Sequence, residues 1–143
     1  MRSVYIYLQD YSTSRVMKKL IAIYSILIGI TVPGMWYLIL SSGINPEGPI
    51  RLGFHLYTEF TMAILCLLGG ILLLKNKPLA LDTLLVGHAM LVYSALNTAG
   101  CYGERGQNLI MVVFIALFVS SVVNIMVLFN MLIRKELDKK YSI

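Results

Sequence analysis

Four uninterrupted apolar runs, Leu20–Ser41, Leu52–Leu74, Leu79–Ala99 and Asn108–Ile133, carry only two carboxylates between them, Glu59 and Asp82. Each run is long enough as a helix to cross a hydrocarbon core of about 30 Å. None alternates polar and apolar residues, which excludes the strands of a membrane barrel. The connections Ser42–Arg51, Lys75–Pro78 and Gly100–Gln107 are short, so successive helices must lie side by side. The pattern predicts an all-α integral membrane protein, an antiparallel up-down four-helix transmembrane bundle, with residues 1–143 as a single membrane domain. Composition agrees, because charged residues make up only 13% of the chain where soluble domains hold about 25%.

Lysine and arginine orient the bundle. Of the 12 basic residues, only Arg51 and Arg105 fall on one side. The rest, from Arg2, Arg15, Lys18 and Lys19 through Lys75 and Lys77 to Arg134, Lys135, Lys139 and Lys140, fall on the other. The positive-inside rule then places both termini in the cytoplasm. The net charge of +5 reads as attraction to anionic membrane lipids, with no nucleic-acid partner expected. The first run exceeds the core of a secretory signal peptide and is expected to remain as a span. Ahead of it, Val4, Leu8 and Tyr11 share a helical face, consistent with either a short interfacial helix or a frayed tail.

Small residues show which faces look inward, since they let membrane helices approach closely. In the second run Ala63, Cys66 and Gly70 form one stripe. Its extension reaches Glu59 and then His55, one turn apart. In the third run Thr83, Gly87, Met90, Ser94 and Asn97 form the facing stripe, flanked by Tyr93. Pro33 and Gly34 lie at a similar height in the first run, where Pro33 is expected to kink the helix. The result is a predicted polar pocket in the outer half of the bundle, lined by His55, Glu59, Tyr93, Ser94 and Asn97. A secondary polar set, His88 and Asn124 with Ser120 and Ser121 nearby, is expected to meet near the midplane. Trp36 and Tyr37 read as an aromatic belt, Asp82 as an interfacial acid, and Cys66 as a packing residue.

An ionisable side chain inside a membrane is expensive unless paired, which makes Glu59 a candidate for function. Two readings follow. In one, Glu59 and His55 are a proton donor–acceptor pair, the catalytic candidates, or a polar clamp on a ligand. In the other, a closed His55–Glu59–Tyr93 network holds helix register. Metal binding is not expected. His55 and Glu59 supply two ligands, and a third requires Glu104 or Cys101 to fold back. The two histidines are too far apart along the bundle for one haem, no nucleotide or nucleophile motif is present, and no cofactor is expected.

The segment Gly53-Phe54-His55-Leu56-Tyr57-Thr58-Glu59 resembles the membrane helix of the sterol isomerase family, in which a His-x-x-x-Glu pair transfers protons inside a lipid-facing pocket. That resemblance implies His55 and Glu59 as the acid–base pair. The chain differs from the family at Asn97, where a further acid is expected, and has no tryptophan in its fourth run. Its overall pattern is similar to small prokaryotic four-span membrane proteins with no assigned role, which implies a prokaryotic cell membrane. The expected function is binding of a small amphipathic or lipid-like ligand, with Glu59 and His55 as polar anchors. The alternatives are a homodimeric transporter using Glu59 and a structural or assembly subunit of a larger membrane complex.

Overall fold

The computed structural model describes the backbone of residues 2–43 and 48–141, and the side chains of residues 15–43, 48–137 and 140. The described chain is helical throughout: α1 (Arg2–Ser41), α2 (Pro49–Leu74), α3 (Ala80–Glu104) and α4 (Asn108–Tyr141). Each contains a stretch long and apolar enough to cross a membrane, namely Arg15–Ser41, Pro49–Leu74, Ala80–Glu104 and Asn108–Leu137. The first helix runs unbroken from Arg2 into its apolar stretch. The side chains of Val4, Leu8 and Tyr11, expected on an interfacial face, lie outside the described residues.

Local chemistry sets the helix ends. Pro49 opens α2, where its missing N–H would have found no intrahelical partner anyway. At the far end Asn76 takes a left-handed φ of 51°. This lets the Lys77 N–H bond the Leu72 carbonyl at 2.9 Å and the Asn76 N–H bond the Leu73 carbonyl at 3.1 Å, closing a Schellman turn ahead of Pro78. Gly106, at φ 70°, ends α3 in the same way through Gln107 N–H to the Tyr102 carbonyl at 3.0 Å. The connection expected over Gly100–Gln107 is therefore mostly helix. With Cβ-less Gly100 and Gly103 still able to hold helical dihedrals, only Arg105–Gln107 remain for the turn.

The helices pack in sequence order, α1 on α2, α2 on α3 and α3 on α4. Glycines bring the backbones together. A Cβ on Gly29 would lie 2.6 Å from Leu67 Cβ and 2.8 Å from the Ala63 carbonyl, and one on Gly70 would lie 2.8 Å from the Ala22 carbonyl. In these contacts one residue number falls as the other rises. Gly69 against Leu84 and Gly87 against Cys66 repeat the pattern between α2 and α3, and Gly103 against Met111 with the stacked rings of Tyr102 and Phe114 repeats it between α3 and α4.

Two apolar clusters make the core. Ile21, Ala22, Leu73, Ala80, Leu81, Leu84 and Leu128 join all four helices near the Lys75–Lys77 turn. Ile28, Met62, Cys66 and Leu91 form a second cluster further along. The second-run stripe of Ala63, Cys66 and Gly70 is buried. On α3 the buried face is rotated slightly from the expected stripe: Gly87 and Ser94 are buried with Leu84, His88 and Leu91, whereas Asn97 is exposed. Gly87 lets α3 approach α2 so closely that a Cβ there would lie 3.1 Å from Cys66 Sγ, and this contact sets the rotation. Most large side chains on α4 stay on the outside of the bundle, among them Val112, Val119, Met126 and Phe129.

Candidate functional site

Glu59 lies on the buried face of α2, only 4% exposed, where α1 and α3 both reach it. From α1, Trp36 donates its Nε1–H to Glu59 Oε2 at 2.8 Å. From α3, the Ser94 hydroxyl donates to Oε1. From one turn back on α2, His55 Nε2 lies 3.3 Å from the same Oε1. A buried carboxylate is tolerable when several donors meet it, and here three helices supply them.

Trp36 corrects the sequence expectation. Rather than standing in an outward aromatic belt with Tyr37, its ring is 5% exposed and packs edge-on against His55 with centroids 5.2 Å apart. Its position near a helix end resembled an interfacial tryptophan. The reason it turns inward is the indole N–H, a donor that a buried carboxylate needs. Tyr93 is corrected in the opposite sense. It is 69% exposed and takes no part in the Glu59 network, because Ser94, the next residue on α3, points inward in its place.

Outside this network is a cavity of about 250 Å³ lined by Arg51, Phe54, His55, Thr58, Glu59, Tyr93, Ser94 and Asn97. The structure thus gathers His55, Glu59, Tyr93, Ser94 and Asn97 around one space. Glu59 and Ser94 lie at its buried floor, His55 is partly buried, and Tyr93 and Asn97 stand exposed at the rim. Pro33 and Gly34 are not part of its lining. Sequence reasoning missed Arg51, Phe54 and Thr58. Arg51, His55 and Glu59 recur at intervals of four on α2, so the helical period was the signal that could have found Arg51.

The secondary polar set divides differently from expectation. His88 is fully buried and bonds Ser25 on α1, with Nε2 3.0 Å from Oγ. The Ser25 hydroxyl donates to the Ile21 carbonyl at 2.7 Å, so its oxygen accepts from His88 Nε2–H. Asn124 has no bond to His88, and Ser120 and Ser121 turn to Tyr24 instead, at 2.8 and 3.3 Å. Tyr24 also stacks on His88 with centroids 5.7 Å apart. The α1 partners won because Tyr24 and Ser25 face both α3 and α4 from one turn of helix. Neither was visible as a partner from α3 and α4 alone.

Among the described residues, no three His, Cys, Asp or Glu side chains gather as a metal site. Neither Glu104 nor Cys101 joins His55 and Glu59.

The comparisons with known proteins bear on the chain as a whole. A family model described as a domain of unknown function (DUF8058) matches residues 15–141. No curated protein matches the chain, and no solved structure does.

Proposed function

The chain belongs to that family of unknown function, and we propose that it is an integral membrane protein that binds the polar head of a small amphipathic or lipid-like ligand in the pocket above Glu59. The antiparallel up-down bundle would span a cell membrane, of a prokaryote by the likeness of its pattern, with both termini cytoplasmic and the pocket toward the outer leaflet. The carrying observation is the size and lining of the cavity. At about 250 Å³ it is smaller than the roughly 300–1,000 Å³ typical of drug-sized ligand sites. It suits a head group and leaves an alkyl chain outside. Phe54 and Tyr93, both exposed beside it, give that chain an apolar surface continuous with lipid.

The test is native mass spectrometry of the full-length protein released in a mild neutral detergent, wild type beside Asn97→Trp. Asn97 is exposed, so the indole fills the pocket without disturbing the core. The expected result is a stoichiometric adduct on the wild type that is lost from the variant. A bare wild type, or an adduct retained by the variant, refutes the reading.

A second reading is acid–base chemistry by His55 and Glu59, favoured by their 3.3 Å contact and by the likeness of this segment to sterol isomerases. In this geometry Glu59 is enclosed by Trp36 and Ser94, so His55 would meet the ligand and Glu59 would orient its ring. Turnover of a bound amphiphile abolished by His55→Gln would support it. A homodimeric carrier with Glu59 on a shared path draws no support from a carboxylate enclosed by α1 and α3 of its own chain.

A further inference from the structure

The fourth helix uses little of its surface inside its own chain. Its apolar stretch is only 11% buried, against 39% for those of α2 and α3. Ser121 and Leu128 point into the bundle. On the opposite face stand Ala116, Val119, Val123, Met126, Asn130 and Ile133, all exposed. They fall at alternating intervals of three and four, and the same spacing reaches back to Val112 and on to Leu137. A repeat averaging about 3.5 residues is the seam along which two helices stay in contact. Lipid chains need apolar side chains opposite them but no such period.

Asn130 lies within that seam. Its side chain is exposed, and no hydrogen bond ties it to any of the described residues. It stands five residues before Lys135, whose ammonium donates to the Pro78 carbonyl at 3.2 Å. About 7.5 Å of helix therefore separates it from the level of the α2–α3 turn. An amide pointing outward from there is costly against acyl chains and is satisfied when another helix bonds it. An amide both donates and accepts, so two copies of Asn130 about a two-fold axis complete each other. Two chains inserted the same way present parallel α4 helices, and pairing in register sets Asn130 opposite Asn130. A single Asn in such a seam fixes register and the number of strands. Val119, Val123 and Ile133 are β-branched and already held in one rotamer on a helix, so they lose little freedom on packing. Ala116 lets the two backbones approach.

We propose that α4 pairs with α4 of a second copy of this chain, in a parallel two-fold dimer whose seam runs from Ala116 to Ile133 and includes an Asn130–Asn130 amide pair. The pocket above Glu59 is lined from α2 and α3, so the pairing stands or falls separately from ligand binding.

The test uses the full-length protein in vesicles of phosphatidylcholine and phosphatidylglycerol, with Cys66→Ala and Cys101→Ser removing the native thiols. Val119→Cys, Val123→Cys and Met126→Cys place single thiols on the seam. Leu68→Cys on α2 and Val86→Cys on α3, at positions of similar exposure, are the controls. Mild oxidation is expected to link the three seam variants as dimers and to leave both controls as monomers. Independently, native mass spectrometry of the reduced chain with both native cysteines, released in a mild neutral detergent, is expected to show two copies. Asn130→Val is expected to weaken that dimer about three- to thirtyfold on dilution. Controls that cross-link as readily as the seam variants overturn the assignment to α4. A monomer at every protein-to-lipid ratio, by both readouts, overturns the second copy. Association unchanged by Asn130→Val overturns the amide pair and with it the argument for a like partner.

Discussion

The Trp36–Glu59 bond makes a sharp quantitative prediction, because each partner suits the other and little else. Trp36 is a donor only, it is buried, and its Nε1–H lies 2.8 Å from Oε2. Trp36→Phe removes a hydrogen bond to a charged group, worth about 1.5–3 kcal/mol, and leaves a void worth about 1 kcal/mol. The expected destabilisation is therefore about 2.5–4 kcal/mol. In a Glu59→Leu background only the void remains, and removal of the indole also relieves an N–H that has lost its acceptor. There Trp36→Phe should cost at most about 1 kcal/mol, giving a coupling of at least about 1.5–3 kcal/mol. Glu59→Gln should be far milder than Glu59→Leu. Its amide oxygen can face Trp36 while its NH2 faces Ser94 and His55, each of which can become an acceptor. Unfolding in mixed micelles with rising dodecyl sulfate supplies the free energies. Cys66, fully buried in the second apolar cluster, reports opening through thiol labelling once Cys101 is replaced by serine. A coupling below about 0.5 kcal/mol, within the error of additivity for independent sites, would show that the two residues do not depend on one another and refute the reasoning.

Three further outcomes are expected in the same assay. Gly29→Ala should destabilise by about 1–3 kcal/mol, because the new methyl meets the Ala63 carbonyl and Leu67. Gly34→Ala, with nothing within 4 Å, should be neutral or stabilise by up to about 1 kcal/mol through helix propensity, and equal effects at the two glycines would contradict the packing described. Ser25→Ala strands the buried His88 Nε2–H and should cost about 1–3 kcal/mol, whereas Ser25→Ala in a His88→Leu background should cost much less. Tyr24→Phe removes the bonds to Ser120 and Ser121 and should cost about 1 kcal/mol, with labelling of Cys66 accelerated as α1 and α4 loosen.

Much of the architecture was legible in the chain itself. Apolar runs of bilayer length with almost no charge and no alternation are read as helices, which satisfy every backbone group within the segment. Asn76-Lys77-Pro78 and Gly106 mark turns through backbone conformations that few other residues adopt. The four-residue interval from Ala63 back to Glu59 and His55 put the acid on the packing face, because a helix nearly repeats its direction at that spacing. Periodicity of this kind acts within one helix, and so one sequence carries it. Which side chain completes a bond across helices is different, for it depends on rotation and depth to within one residue. Trp36 or Tyr37 and Tyr93 or Ser94 are adjacent choices pointing in different directions, and only the packed helices selected Trp36 and Ser94 for Glu59. The same holds for Ser25, which takes His88 in place of Asn124. Hydrogen bonds are satisfied within about 3 Å, while a shift of one residue turns a helical side chain by about 100°. Small rotations set by apolar packing therefore decided the polar partners.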